Sequence, residues 1–129
     1  DARLARELGA TGVHLSEAAA RTALLSTFAV PRKRARRGMI LSVAAHSLRA
    51  ILRANALNAD IVLLAPAFAT RSHPGAAPIG ATRFARITRA AARAAPNIHV
   101  FALGGVTGNN ATRLIHAGAA GFAAVGALA

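Results

Sequence analysis

The junction that ends one helix and begins the next strand occurs three times in this chain. Leu8-Gly9-Ala10-Thr11-Gly12-Val13 and Ala117-Gly118-Ala119-Ala120-Gly121-Phe122 are near copies, and Asn58-Ala59-Asp60-Ile61 is a looser third. In each, a Gly or Asn stands where the left-handed backbone that closes a helix is needed, and an apolar run follows at once. The chain is thus read as a repeat of one helix–strand unit. Short runs rich in aliphatic residues at 11–15, 39–44, 60–65, 98–103 and 121–125 predict the strands, each too short for an ordinary helix. Between them the spacing turns helical: Leu48, Ile51, Leu52 and Leu57 share a face, with Arg49 and Arg53 directed elsewhere. Ser47 and Thr107 stand where helix caps belong.

Runs that are apolar throughout, without polar alternation, predict parallel strands covered on both faces, and hence an α/β fold. Such units wind either into an open, doubly wound sheet or into a closed barrel, and periodicity leaves both open. In either case the loops after the strand C-termini carry function. These are residues 14–17, 45–47, 66–80 and 104–110, and Gly126.

With 129 residues, 54% of them hydrophobic, one domain with its own core is expected. The chain starts at Asp1, and its first residues read as an amphipathic internal helix, so a truncated start is expected. No apolar run approaches the roughly 20 residues that span a bilayer, so no membrane partner is expected. The absence of cysteine excludes disulfides and thiolate metal sites and suits a cytoplasmic protein.

The net charge of +12 raises the question of nucleic acid. Lys33 is the one lysine, the other basic residues are arginines dispersed among alanines, and Trp and Tyr, the usual base-stacking partners, are missing. The densest cluster, Arg32-Lys33-Arg34 with Arg36-Arg37, falls between a helix and a strand and reads as a solvated linker. No nucleic-acid partner is expected.

Candidate chemistry concentrates in the rim loops. Residues 66–80 form the longest of them, and Thr70, Ser72 and His73 there are donors suited to a phosphate, with Arg71 adding charge. Gly104-Gly105, followed by a helix start, allows backbone N–H groups to approach an anion, and Gly126 after the last strand offers a second such turn. His14 and His46 stand at strand ends on the same rim. His14 is a candidate catalytic group and His46 a candidate substrate-binding one, against the commoner role of structural hydrogen-bonder. Of the carboxylates, Glu17 alone is placed for a metal, and a single carboxylate makes a poor Mg²⁺ site.

Taken in order, Gly12-Val13-His14-Leu15, Ser42-Val43-Ala44-Ala45-His46-Ser47, Ala65-Pro66-Ala67-Phe68-Ala69-Thr70, Gly104-Gly105-Val106-Thr107 with Asn110-Ala111, and Ala117-Gly118-Ala119-Ala120-Gly121 resemble the thiamine phosphate synthase family along the whole chain. The resemblance implies a (β/α)₈ TIM barrel of which this chain is a partial one, strands four to eight, as a single domain over 1–129. It implies small phosphorylated substrates: hydroxymethylpyrimidine diphosphate and thiazole phosphate, joined with release of pyrophosphate, with Mg²⁺ as the family's cofactor.

Carried over by position, Thr70, Ser72 and His73 match the diphosphate loop, where the family has Lys in place of His73, which makes His73 a candidate catalytic group beside His14. Gly105, Val125 and Gly126 match the thiazole-phosphate cradle, with Gly126 replacing a Ser. Ala44 replaces a Ser at the active-site position of its strand. The family's Gly-Gln-x-Asp reads Ser16-Glu17-Ala18-Ala19, so a Mg²⁺ carboxylate has become Ala19. The related thiazole tautomerase shares the barrel, but its catalytic His would fall at Pro66; a non-catalytic phosphate-ligand binder is the other alternative.

Overall fold

The computed structural model describes residues 2–25, 38–72 and 74–124. Its elements alternate as α1 (Ala2–Glu7), β1 (Gly12–Leu15), α2 (Glu17–Leu25), β2 (Ile40–Ala45), α3 (Leu48–Ala56), β3 (Ile61–Leu64), α4 (Gly80–Ala94), β4 (His99–Leu103), α5 (Gly108–His116) and β5 (Gly121–Ala123). Each expected strand is present, within a residue or two at its ends. The basic cluster at 32–37 lies outside the described residues.

The repeated junction is one hydrogen-bonded device. Gly9, Asn58 and Gly118 all have positive φ, at 68°, 56° and 86°. The next residue then bonds back into the helix: Ala10 N–H to Ala5 O at 2.8 Å, Ala59 N–H to Ala54 O at 3.0 Å, and Ala119 N–H to Leu114 O at 3.0 Å. This pairs carbonyls that the helix end would otherwise leave without partners. The chain then enters the sheet. Asp60 N–H donates to Leu41 O at 2.9 Å and Ala120 N–H to Val100 O at 2.8 Å, so helix end and strand start share one fixed geometry. Asp60 adds its side chain, Oδ2 accepting from Leu41 N–H at 2.8 Å. Its carboxylate therefore serves the strand N-termini, at the opposite end from the rim.

The sheet decides between the two windings left open above. A doubly wound sheet reverses its strand order where the helices change face. Here five parallel strands run β1-β2-β3-β4-β5 without reversal, and α2, α3, α4 and α5 pack each against the next. All four helices therefore lie on one face, which is barrel-like winding. The described strands form an open segment with β1 and β5 at its edges, not a closed barrel.

Strand alternation sorts the core. Leu41, Val43, Ala45, Val62, Leu64, Val100 and Ala102 are buried toward the helices, against Ile51, Phe84 and Leu114. Full burial of a side chain of that size contributes about 1.5–3 kcal/mol. The opposite face, with Ser42, Ala44, Ile61, Leu63, Phe101 and Leu103, is only half-buried, and Ile40 is 47% exposed. The expectation of strands covered on both faces thus holds on the helix side alone among the described residues. The reason is geometric, since in a β/α barrel the inner face is covered by strands across the axis. On α3, Ile51 is buried, but Leu52 is 38% exposed and sits off the face assigned to it. No helix of the described residues is long and apolar enough to cross a membrane.

Candidate functional site

Parallel strands in sequential order bring every βα loop to one rim. At its β1 end stands Glu17, the first residue of α2, whose two carboxylate oxygens are both engaged. Oε1 accepts from Arg53 Nη2 at 2.6 Å, an ion pair with both side chains about three-quarters buried. Oε2 accepts from the backbone N–H of His46 at 3.1 Å. Arg53 is thus not directed away with Arg49; it reaches across from α3 to the loop after β1. Periodicity missed this because it assigns a long side chain to the face of its Cα, whereas a flexible stem lets the charged head travel.

His46 follows β2, and its Nδ1 lies 2.7 Å from the carbonyl oxygen of Ala65. A carbonyl oxygen only accepts, so Nδ1 bears a hydrogen, and in the neutral ring Nε2 is then the nitrogen with the lone pair. Ser47, next in the chain, caps α3 as expected, its side chain accepting from Ala50 N–H at 3.2 Å.

His14 lies on the open face of β1, directly opposite Ser42 in the register, with Nδ1 2.9 Å from Ser42 Oγ. The single hydroxyl proton goes either to Nδ1 or to Val13 O at 3.5 Å, and the tautomer of His14 follows from that choice. Ser42 was not singled out in the sequence. The available signal was its spacing of two from Ala44, which puts both on one face of β2.

The loop after β3 is anchored at its base. Ala67 N–H donates to Leu103 O at 2.8 Å and Phe68 N–H to Gly104 O at 3.0 Å, while Ile79 N–H donates to Pro66 O at 2.9 Å and Gly80 N–H to Ala67 O at 2.9 Å. The Arg113 guanidinium sits 5.5 Å from the centre of the Phe68 ring, a cation–π contact from α5. Farther along, Thr70 Oγ1 accepts from Ser72 N–H at 3.3 Å, which turns the chain at the loop tip. Thr70 is half-buried, and Arg71 and Ser72 are exposed.

Gly104 and Gly105, with φ of 91° and 64°, complete the rim after β4. A side chain at Gly105 would meet the carbonyl groups of Phe68 and Ala69, so the loops after β3 and β4 run in backbone contact. Asn110 holds the turn from the other side, with Oδ1 accepting from Thr107 N–H at 2.8 Å and Nδ2 donating to Gly105 O at 2.9 Å. Thr107 stands at the N-cap of α5, as expected, with extended backbone. The Gly105 N–H donates to nothing among the described residues.

Sequence comparison adds to this geometry. Residues 1–128 match the thiamine monophosphate synthase family. The chain belongs to that family. It is 37% identical over 128 residues to a thiamine-phosphate synthase of Lysinibacillus sphaericus, covering 99% of this chain and 55% of that protein. It is 33% identical over 122 residues to a putative thiamine-phosphate synthase 2 of Aquifex aeolicus, covering 95% and 59%. The chain thus spans a little over half the length of these relatives. Among solved structures, a thiamine phosphate pyrophosphorylase from Pyrococcus furiosus superposes with a TM-score of 0.64 at 24% identity, covering 97% of this chain and 54% of that one. That likeness supports the barrel-type winding.

Against the thiamine monophosphate synthase pattern, the rim divides into two halves. On the β3–β4 side, Thr70, Ser72 and Gly105 are brought to adjoining loops, while His73, Val125 and Gly126 lie outside the described residues. On the β1–β2 side the donors do not fit a Mg²⁺ ion. Ala19 offers no ligand atom, Glu17 is spent on Arg53 and His46 N–H, and no group of three or more potential metal ligands occurs among the described residues. Ala44 shares the open face with Ser42 and contributes no hydrogen-bonding group.

Proposed function

We propose that this chain is the C-terminal part of a cytoplasmic thiamine phosphate synthase, five βα units of a barrel that further units upstream complete. The family match over residues 1–128 supports this reading. One geometric observation carries it further: the backbone contact between Gly105 and the Phe68–Ala69 segment. The first of these loops is the one the resemblance assigns to the thiazole phosphate, the second leads to the diphosphate donors, and their contact fits two phosphorylated substrates bound side by side.

In this reaction the bond between the pyrimidine CH₂ and the diphosphate oxygen breaks, its electron pair leaving with pyrophosphate. The thiazole nitrogen then donates its lone pair to the CH₂ carbon, forming the C–N bond of a thiazolium. Negative charge grows on the departing oxygen, so donors already in place there lower the barrier. Thr70, Ser72 and His73 fill that role in this reading, and the Gly105 N–H receives the phosphate of the second substrate. His14, bonded to Ser42, lies on the open face of the same sheet.

Incubation of the full-length protein with both substrates tests the proposal. Thiamine phosphate and pyrophosphate in equal amounts are expected, and product no higher than background, with and without added Mg²⁺, would refute it.

A further inference from the structure

The β1–β2 half of the rim is wired together by three polar contacts in series. Arg53 Nη2 holds Glu17 Oε1 at 2.6 Å, Glu17 Oε2 holds the His46 N–H at 3.1 Å, and His46 Nδ1 holds Ala65 O at 2.7 Å. The series links α3, the start of α2, the end of β2 and the end of β3. It occupies the place where the thiamine monophosphate synthase pattern has metal-binding residues and this chain has Ala19. Because Nδ1–H is committed to a carbonyl, the exposed His46 ring has one remaining polar atom, Nε2, which in the neutral ring carries the lone pair. It accepts no hydrogen bond among the described residues.

We infer that Glu17 is a positioning residue that fixes His46, and that His46 Nε2 is an acceptor site for an amino group on the substrate. A neutral imidazole nitrogen with an exposed lone pair repels phosphate oxygens and accepts from N–H donors. Among the substrates the resemblance implies, the thiazole ring and both phosphorylated groups lack an N–H donor, and the hydroxymethylpyrimidine, whose ring carries an exocyclic amine, supplies one. The choice of the aminopyrimidine rests on the synthase reading; the acceptor character of Nε2 rests on the 2.7 Å contact, which fixes the tautomer of the neutral ring.

Nitrogen-15 spectra of the His46 ring in the full-length protein test this. Nδ1 is expected to be the protonated nitrogen. Nε2 should shift when 4-amino-5-hydroxymethyl-2-methylpyrimidine is added, and stay unmoved with the analogue lacking the amino group or with inorganic pyrophosphate. A protonated Nε2 in the free protein, or equal shifts with both pyrimidines, would overturn the assignment. Glu17→Ala, which frees the His46 N–H, should weaken the aminopyrimidine about five- to tenfold, the size expected for one neutral hydrogen bond held in place. Glu17→Gln, which keeps an acceptor for that N–H, should retain most of the affinity. Unchanged affinity in Glu17→Ala would remove the positioning role, and if that variant fails to fold, the ring spectra of the unaltered protein still decide. An amine-selective response without thiamine phosphate formation refutes the synthase reading and supports this site; product formation without such a response does the reverse.

Discussion

Gly105 stands so close to the carbonyl oxygen of Ala69 that no side chain fits between them, and its φ of 64° is one that L-residues disfavour. Gly105→Ala therefore incurs the left-handed strain, about 1–2 kcal/mol, and also displaces the loop after β3. Gly9 has a similar φ of 68° but open space around it, so Gly9→Ala should incur that strain alone, about 1–2 kcal/mol. Urea denaturation of the two variants checks this, and equal losses would show that the loop contact contributes nothing.

The Thr88 hydroxyl is buried and lies 2.6 Å from Ala117 O, which ties the middle of α4 to the end of α5. Thr88→Val keeps the shape and leaves that carbonyl without its partner, a loss of about 1–3 kcal/mol. Gly118→Ala should also exceed Gly9→Ala, because its Cβ would come within 3.0 Å of Thr88 Oγ1. Thermal unfolding of the three variants gives the ranking.

Breaking the Glu17–Arg53 pair should be asymmetric. Arg53 Nε is already buried without a partner, so Glu17→Gln leaves a guanidinium stripped of its counter-charge, while Arg53→Met replaces that group with apolar volume. The first should destabilise more than the second. A double-mutant cycle should give a coupling of about 1 kcal/mol, and the coupling should fall as salt is added. Zero coupling at low salt would mean that the contact is incidental.

The isolated 129-residue chain should self-associate. It presents β1 and β5 as edges and keeps Ile40 and Phe122 47% and 43% exposed, and unpaired edges beside apolar surface are the usual origin of association. Light scattering across a concentration series should show a rising mass. A constant monomer mass with cooperative unfolding would contradict this.

The alternation of strand and helix was legible because glycine or asparagine at a helix end and an apolar run after it are local signals. Gly9, Asn58 and Gly118 behave as their neighbours in sequence imply. Winding was not legible, because strand order is a relation between distant segments; the barrel reached the sequence reading through family resemblance. The rim was legible as a set of loops and illegible as a set of bonds. Arg53 reaches Glu17 and His14 meets Ser42 across strands far apart in sequence, and nothing local records such pairs. Asp60 shows the converse, since its place just before β3 was enough to remove it from the rim.

Each strand pairs only with strands next to it in the chain, in the order β1-β2-β3-β4-β5. Every sheet contact therefore forms with a segment already synthesised or about to be, and none awaits a partner from the far end of the described chain. Low sequence separation of this kind shortens the search during folding, and a growing chain can add one unit at a time as it leaves the ribosome. The same order that gathers the loops on one rim also lets the rim be assembled from β1 toward β5, with the Gly104-Gly105 turn arriving against a loop after β3 that already exists.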